Sequence, residues 1–283
     1  MLDMALRSLE LFFRDRVSVI MALFAEIIIM VLYILFMRDN LLETFAEIDR
    51  TGEITDTWML AGILGITPLT ASMSAYAVMI EDKSRKRNMD IGISPLGKTS
   101  IALGYITGAA LAGVIMSAAV FFISEIYVFI RYDSIAGAGN IAAIYVLILI
   151  NSLCCAVIVM LPVSFLRSCT ALAGCCTILG ALIGFMTGIY LPVGSLSDSV
   201  ALLIKLFPIS HGVVPFRALM TEPTISKAMD LESEAAQEFT EYMGIRLTWQ
   251  ESALCYETDV LVLLGFAALC LALILIKPLL RQR

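Results

Sequence analysis

Two acids fall inside long apolar runs, Glu26 within Val17–Met37 and Glu125 within Ile101–Ile130. An ionised acid in the middle of a membrane helix costs about 2.5–3.5 kcal/mol on insertion scales, so such groups usually face a pore or a partner. Glu26 is near mid-run and is the better candidate for a substrate path, against a protonated or hydrogen-bonded packing residue. Glu125 lies towards the outer end of its run, where it reaches water or pairs with Arg131. Asn151, within Ile141–Phe165, is a second path candidate whose default role is a structural hydrogen bond. His211 is the only histidine. With no second histidine or suitably spaced carboxylates, no metal site is expected, and its expected work is hydrogen bonding at an outer gate. Serines and threonines have no paired base, so no catalytic residue is expected.

One apparent motif is a trap. Gly92, Gly97, Lys98 and Thr99 match the spacing of a phosphate-binding loop. That loop needs a buried strand before it and amides aimed at phosphate. Here the upstream residues are charged and polar, and an apolar run begins at Ile101. The match reads as accidental, and nucleotide binding is not expected in this chain.

These groups need elements to position them. Of 283 residues 60% are hydrophobic and 16% charged, against roughly 45–50% and 25% in soluble domains. That excess must face lipid. The net charge of −6 argues against nucleic acid as a partner. Six runs are long enough to cross a hydrocarbon core of about 30 Å: Val17–Met37, Trp58–Ile80, Ile101–Ile130, Ile141–Phe165, Ala171–Tyr190 and Val260–Ile276. The first run is span-length and lacks an A-x-A-like exit, so no cleavable signal peptide is expected. Most of the seven cysteines sit inside apolar runs, where they act as small hydrophobes and not as disulfides.

Before the first run, Leu2, Ala5, Leu6, Leu9, Phe12 and Phe13 recur at steps of three and four, with Asp3, Arg7, Glu10 and Arg14 between them. This pattern predicts an amphipathic helix in the headgroup plane. Twelve of the nineteen basic residues lie in the prefix, the loop 81–100, Arg167 and the tail, while 17 of the 25 acids lie in 38–57, 131–140 and 191–259. Basic residues are retained on the cytoplasmic side, so both termini are expected inside. The expected fold is an all-α polytopic membrane protein of one domain, 1–283. It comprises an interfacial helix (1–16), spans one to five (17–190), an extracellular re-entrant hairpin with an acidic loop (191–259), and a last span with a cytoplasmic tail (260–283).

Within 191–259, Val200–Phe207 is apolar but too short to span, and Pro192 and Pro208 bound it. It fits a hairpin, Leu191–Arg217, tucked into the outer leaflet. Ser226–Gly244, with Glu232, Glu234, Glu238 and Glu241, reads as a solvated helix. Gly104/Gly108 and Gly180/Gly184/Gly188 have the four-residue spacing that lets helices approach closely, either within the chain or across a dimer.

In order along the chain, L-E-L-F-F-R-D-R (Leu9–Arg16), E-D-K…M-D-I-G-I-S-P-L-G-K-T-S-I-A-L-G-Y-I (Glu81–Ile106) and G-I-Y-L-P-V-G-S-L…L-F-P-I-S-H-G-V-V-P-F-R (Gly188–Arg217) resemble the permease subunit of ABC transporters of the type-two exporter class. Phe207 stands where the family more often has Asn, and S-R-K-R where it more often has E-R-G-T. The resemblance implies half of a pore in a bacterial plasma membrane, paired with a second copy or a related permease. It implies a separate ABC ATPase, which carries the ATP and magnesium and docks on a coupling segment containing Glu81, Asp82, Lys83, Arg85, Lys86, Arg87 and Asp90. It also implies an outer gate around Pro192, Pro208, His211 and Arg217. The apolar composition suits an amphiphilic drug, peptide or lipid-like substrate. The alternative function is a proton-coupled secondary transporter with no ATPase partner.

Overall fold

The computed structural model describes residues 1–85, 97–230, 233–249, 252–253 and 256–280. Among these, eleven helices follow one another: α1 (Leu2–Arg14), α2 (Arg16–Phe36), α3 (Arg38–Thr44), α4 (Thr51–Ser84), α5 (Lys98–Tyr132), α6 (Ala138–Val163), α7 (Cys169–Met186), α8 (Asp198–Leu206), α9 (Ser210–Ala228), α10 (Glu234–Tyr242) and α11 (Tyr256–Leu280). A two-residue antiparallel pair, β1 (Thr248–Trp249) with β2 (Ser252–Ala253), precedes α11. Six helices are long and apolar enough to cross a membrane: α2, α4, α5, α6, α7 and α11. They match the six expected runs.

Short polar residues mark the helix starts. Asp15 leaves helical geometry, and its carboxylate accepts from the Ser18 backbone N–H at 3.2 Å. That bond separates α1 from α2, and the Ser18 hydroxyl, followed by the backbone N–H, holds the Asp15 carboxyl below its ordinary value. Ser168 and Ser233 cap α7 and α10 in the same way.

Helix α4 is the axis of the bundle, packing against α1, α2, α3, α5, α6, α7 and α9. It is buried almost from end to end, whereas α2 buries only Glu26 and Tyr33. Both ends of α4 run past the expected Trp58–Ile80. Residues 51–57 look like a polar loop, yet Asp56, Thr55 and Thr57 are buried there because other side chains and the helix carbonyls take their hydrogen bonds.

Helix α7 ends earlier than expected, at Met186 rather than Tyr190. Gly188 adopts φ +65, a left-handed value that glycine takes without strain. The backbone N–H of Ile189 returns to the Gly184 carbonyl at 2.8 Å, which closes the last turn. Gly188 therefore caps the helix and is not on its packing face. Helices α8 and α9 meet at 94° across the break that contains Pro208. The second arm is longer than the expected limit at Arg217, reaching Ala228. It lies among α4, α6 and α11. A Cβ on Gly65 would come within 2.8 Å of Val213 Cα, so α4 and α9 touch backbone to backbone. The acidic helix is shorter than expected, with Glu234, Glu238 and Glu241 outward and Ala236 and Phe239 buried; Glu232 lies outside the described residues.

Candidate functional site

Glu26 stands at the midpoint of α2, about 15 Å from either end at 1.5 Å per residue. It is 6% exposed. The residue lines a cleft of about 390 Å³ between α2, α4 and α7 and a smaller hollow of about 50 Å³ between α2, α4 and α5, with both carboxylate oxygens buried. The Thr67 hydroxyl faces it but donates to the Ile63 carbonyl at 2.8 Å. Among the described residues neither carboxylate oxygen has a hydrogen-bond partner.

Asn151 is buried and donates to the Gly65 carbonyl at 2.8 Å, tying α6 to α4. Its Oδ1 would lie 2.5 Å from a Cβ on Gly212, so it also fixes the approach of α9. Glu125 accepts from the Ala136 backbone N–H at 3.1 Å instead of pairing with Arg131.

Near one end of α4, Arg7 donates to both oxygens of Asp82, at 2.8 and 2.9 Å, and the Tyr105 hydroxyl donates to Oδ2 at 2.7 Å. The hydrogen bond to Asp82 holds the Arg7 guanidinium above its ordinary value. Gly104 and Gly108 form the groove that admits α1. Cβ atoms there would lie 2.6 Å from Met4 Cβ and 2.9 Å from Ser8 Cβ. The buried face of α1 is Met4, Ala5, Ser8 and Phe12, which is rotated from the apolar stripe seen in sequence. Leu2 and Leu6 remain exposed.

Near the other end, Asp56 accepts from Tyr33 (3.0 Å), Arg38 (2.9 Å), Tyr127 (2.9 Å) and Tyr132 (2.5 Å). Arg217 is fully buried, donating to the carbonyls of Gly188 (2.7 Å) and Gly244 (3.2 Å) and stacking 4.7 Å from the Trp58 ring centre. His211 Nδ1 is 2.6 Å from Asp259 Oδ1, and Nε2 is 2.9 Å from the Lys205 carbonyl. Both ring nitrogens face oxygens, so the two contacts require two protons between ring and carboxyl.

Residues 39–276 match the family described as ABC-2 family transporter protein. The chain belongs to the ABC-2 transporter family. No curated protein and no solved structure matches it. ABC-2 permeases are transport membrane subunits that pair with an ABC ATPase, and they are generally not catalytic themselves.

In this ABC-2 permease the residues singled out from sequence part company. Glu81 and Arg85 form an exposed ion pair at 3.0 Å, whereas the Asp82 side chain is buried beside Arg7. Lys83 follows it on the last turn of α4; Lys86, Arg87 and Asp90 lie outside the described residues. His211 and Arg217 share α9, and Pro192 precedes a short turn at Val193–Ser195. The three glycines of the fifth span separate into different roles. A Cβ on Gly184 would meet the ring of Tyr190, folded back over it, while one on Gly180 would meet nothing within 4 Å. Sequence reasoning passed over Asp56, Asp259, Trp58 and the tyrosines. Asp56 carried one signal, an acid two residues before a span with Arg38 at the end of the preceding one.

Proposed function

We propose that this permease is the membrane half of an ATP-driven exporter, moving an amphiphilic substrate outward by alternating access. Two copies, or this chain and a related one, pair around the pathway, in a bacterial plasma membrane with both termini cytoplasmic. A separate ATPase, carrying ATP and magnesium, docks around Glu81–Leu96. Closure of the ATPases swings the helices as rigid bodies between two states. The observation that carries this reading is the Arg7–Asp82–Tyr105 lock. It joins α1, the end of α4 and α5 where the charged segment leaves and returns, so a push on that segment reaches three helices at once. The α8–α9 hairpin, with His211 and Arg217, serves as the outer gate.

Co-reconstitution with its ATPase in proteoliposomes tests the reading. Transport of an amphiphilic dye should require ATP hydrolysis and should stop when Arg85, Lys86 and Arg87 are reversed in charge. Transport driven by a pH gradient without the ATPase would overturn it. Orientation is read separately, with Ser233→Cys labelled from outside and Ser84→Cys labelled only after permeabilisation.

A further inference from the structure

We infer that Glu26 is the anionic subsite for the positively charged group of a cationic amphiphile, held in the cleft between α2, α4 and α7. The inference deepens the export reading and rests on it. Three observations carry it. The first is the acid itself, a residue 6% exposed whose two carboxylate oxygens are buried and have no hydrogen-bond partner among the described residues. A buried ionised group without a partner is costly, and at mid-helix in a membrane such acids mark substrate or ion paths. A cation in the cleft supplies the missing charge.

The second is the composition of the cleft. Its described lining is otherwise apolar or weakly polar, with Ile29, Leu69, Met73, Leu179 and Ile183 around the acid and no lysine or arginine. An apolar wall with one fixed charge selects an apolar body bearing one opposite charge, and about 390 Å³ falls in the range of small-molecule sites. The third is access. Ala25 and Gly180 stand exposed on α2 and α7, and the space beside Gly180 is open to at least 4 Å. The mouth of the cleft is thus bordered by small residues at the depth of the acid, and an amphiphile can enter sideways.

Equilibrium binding of radiolabelled tetraphenylphosphonium to the purified permease in neutral detergent, without any ATPase, tests this. Glu26→Gln should weaken binding at least tenfold, and Glu26→Asp should retain most of it. Ala25→Trp, which narrows the mouth and keeps the carboxylate, should weaken binding to the same degree as Glu26→Gln, with both variants eluting as the wild-type species. Dodecylamine should compete and dodecanol should not. Added competition by phosphatidylethanolamine would identify a lipid-borne amine and its absence a free one; either supports the subsite. Equal binding by wild type and Glu26→Gln, or equal competition by dodecanol, would overturn it. Such a failure would leave ATP-driven export standing, because the ATPase takes no part in the measurement.

Discussion

Arg7 and Asp82 meet through two hydrogen bonds although 75 residues separate them, and their burial is unequal: the arginine side chain is 35% exposed and the aspartate 2%. Removing Arg7 takes two charged hydrogen bonds from a nearly buried carboxylate, which is costly. Arg7 can turn to water, but Asp82 cannot. Arg7→Ala should therefore destabilise the permease more than Asp82→Asn, whose side chain still accepts from Tyr105. The expected difference is about 1–2 kcal/mol, read from thermal unfolding in detergent. The reverse order would show that Asp82 is not the dependent partner.

The docking of α1 depends on the absence of side chains at Gly104 and Gly108. Gly104→Val would drive Cβ into Met4, at 2.6 Å from its Cβ, and overpacking of this kind costs about 1–3 kcal/mol. Ser8 is buried against α5, so Ser8→Cys should resist maleimide labelling and become reactive when Gly104→Val is added. Gly180→Val has open space and should leave the labelling unchanged. Equal reactivity in the two backgrounds would mean that α1 is not held by this groove.

Asp56 gathers three tyrosine hydroxyls and the Arg38 guanidinium from α2, α3 and α5. Asp56→Ala orphans four donors and should cost about 3–5 kcal/mol. Tyr132→Phe removes one hydroxyl, which also accepts from Arg38, and should cost about 1–2 kcal/mol. Thermal midpoints of the two variants give the comparison, and similar losses would show that the cluster does not act through the carboxylate.

The six spans were legible because their apolar runs exceed the length that lipid demands, and the break at Pro208 because proline interrupts a helix. The polar clusters were not. Asp56 and Asp82 lie just outside or at the edge of apolar runs, where an acid reads as solvated. Only the folded chain shows that Tyr33, Tyr127 and Tyr132, or Arg7 and Tyr105, arrive from distant positions to bury them. Four-residue glycine spacing announced close approach at Gly104 and Gly108 but could not name the neighbour, which is the chain's own α1. In the fifth span the same spacing misled, since Gly188 lies beyond the helix end. Glu26 was legible as an acid in lipid; its lack of partners and its cleft depend on how α2 and α7 flank α4, which spacing does not encode.

Arg217 holds the region beyond α7 together through backbone carbonyls and a ring, with no carboxylate partner among the described residues. Its guanidinium reaches Gly188 after α7 and Gly244 after α10 while lying over Trp58 of α4, and Trp58 in turn donates from Nε1 to the Met243 carbonyl at 2.7 Å. This arrangement uses a planar fork that can bond two carbonyls and stack at once. Lysine has the same charge but a single ammonium centre, so it cannot make both bonds and stack from one position. Arg217→Lys should therefore behave as a severe change and not a conservative one, lowering stability by about 2–3 kcal/mol. The distinguishing readout is local. A spin-label pair on Ser197 and Ser233, which are in the short segments flanking this knot, should show a broadened distance distribution in Arg217→Lys and a narrow one in the parent. An unchanged distribution, with stability intact, would mean that Trp58 and Met243 suffice to hold these segments and that the arginine only fills space.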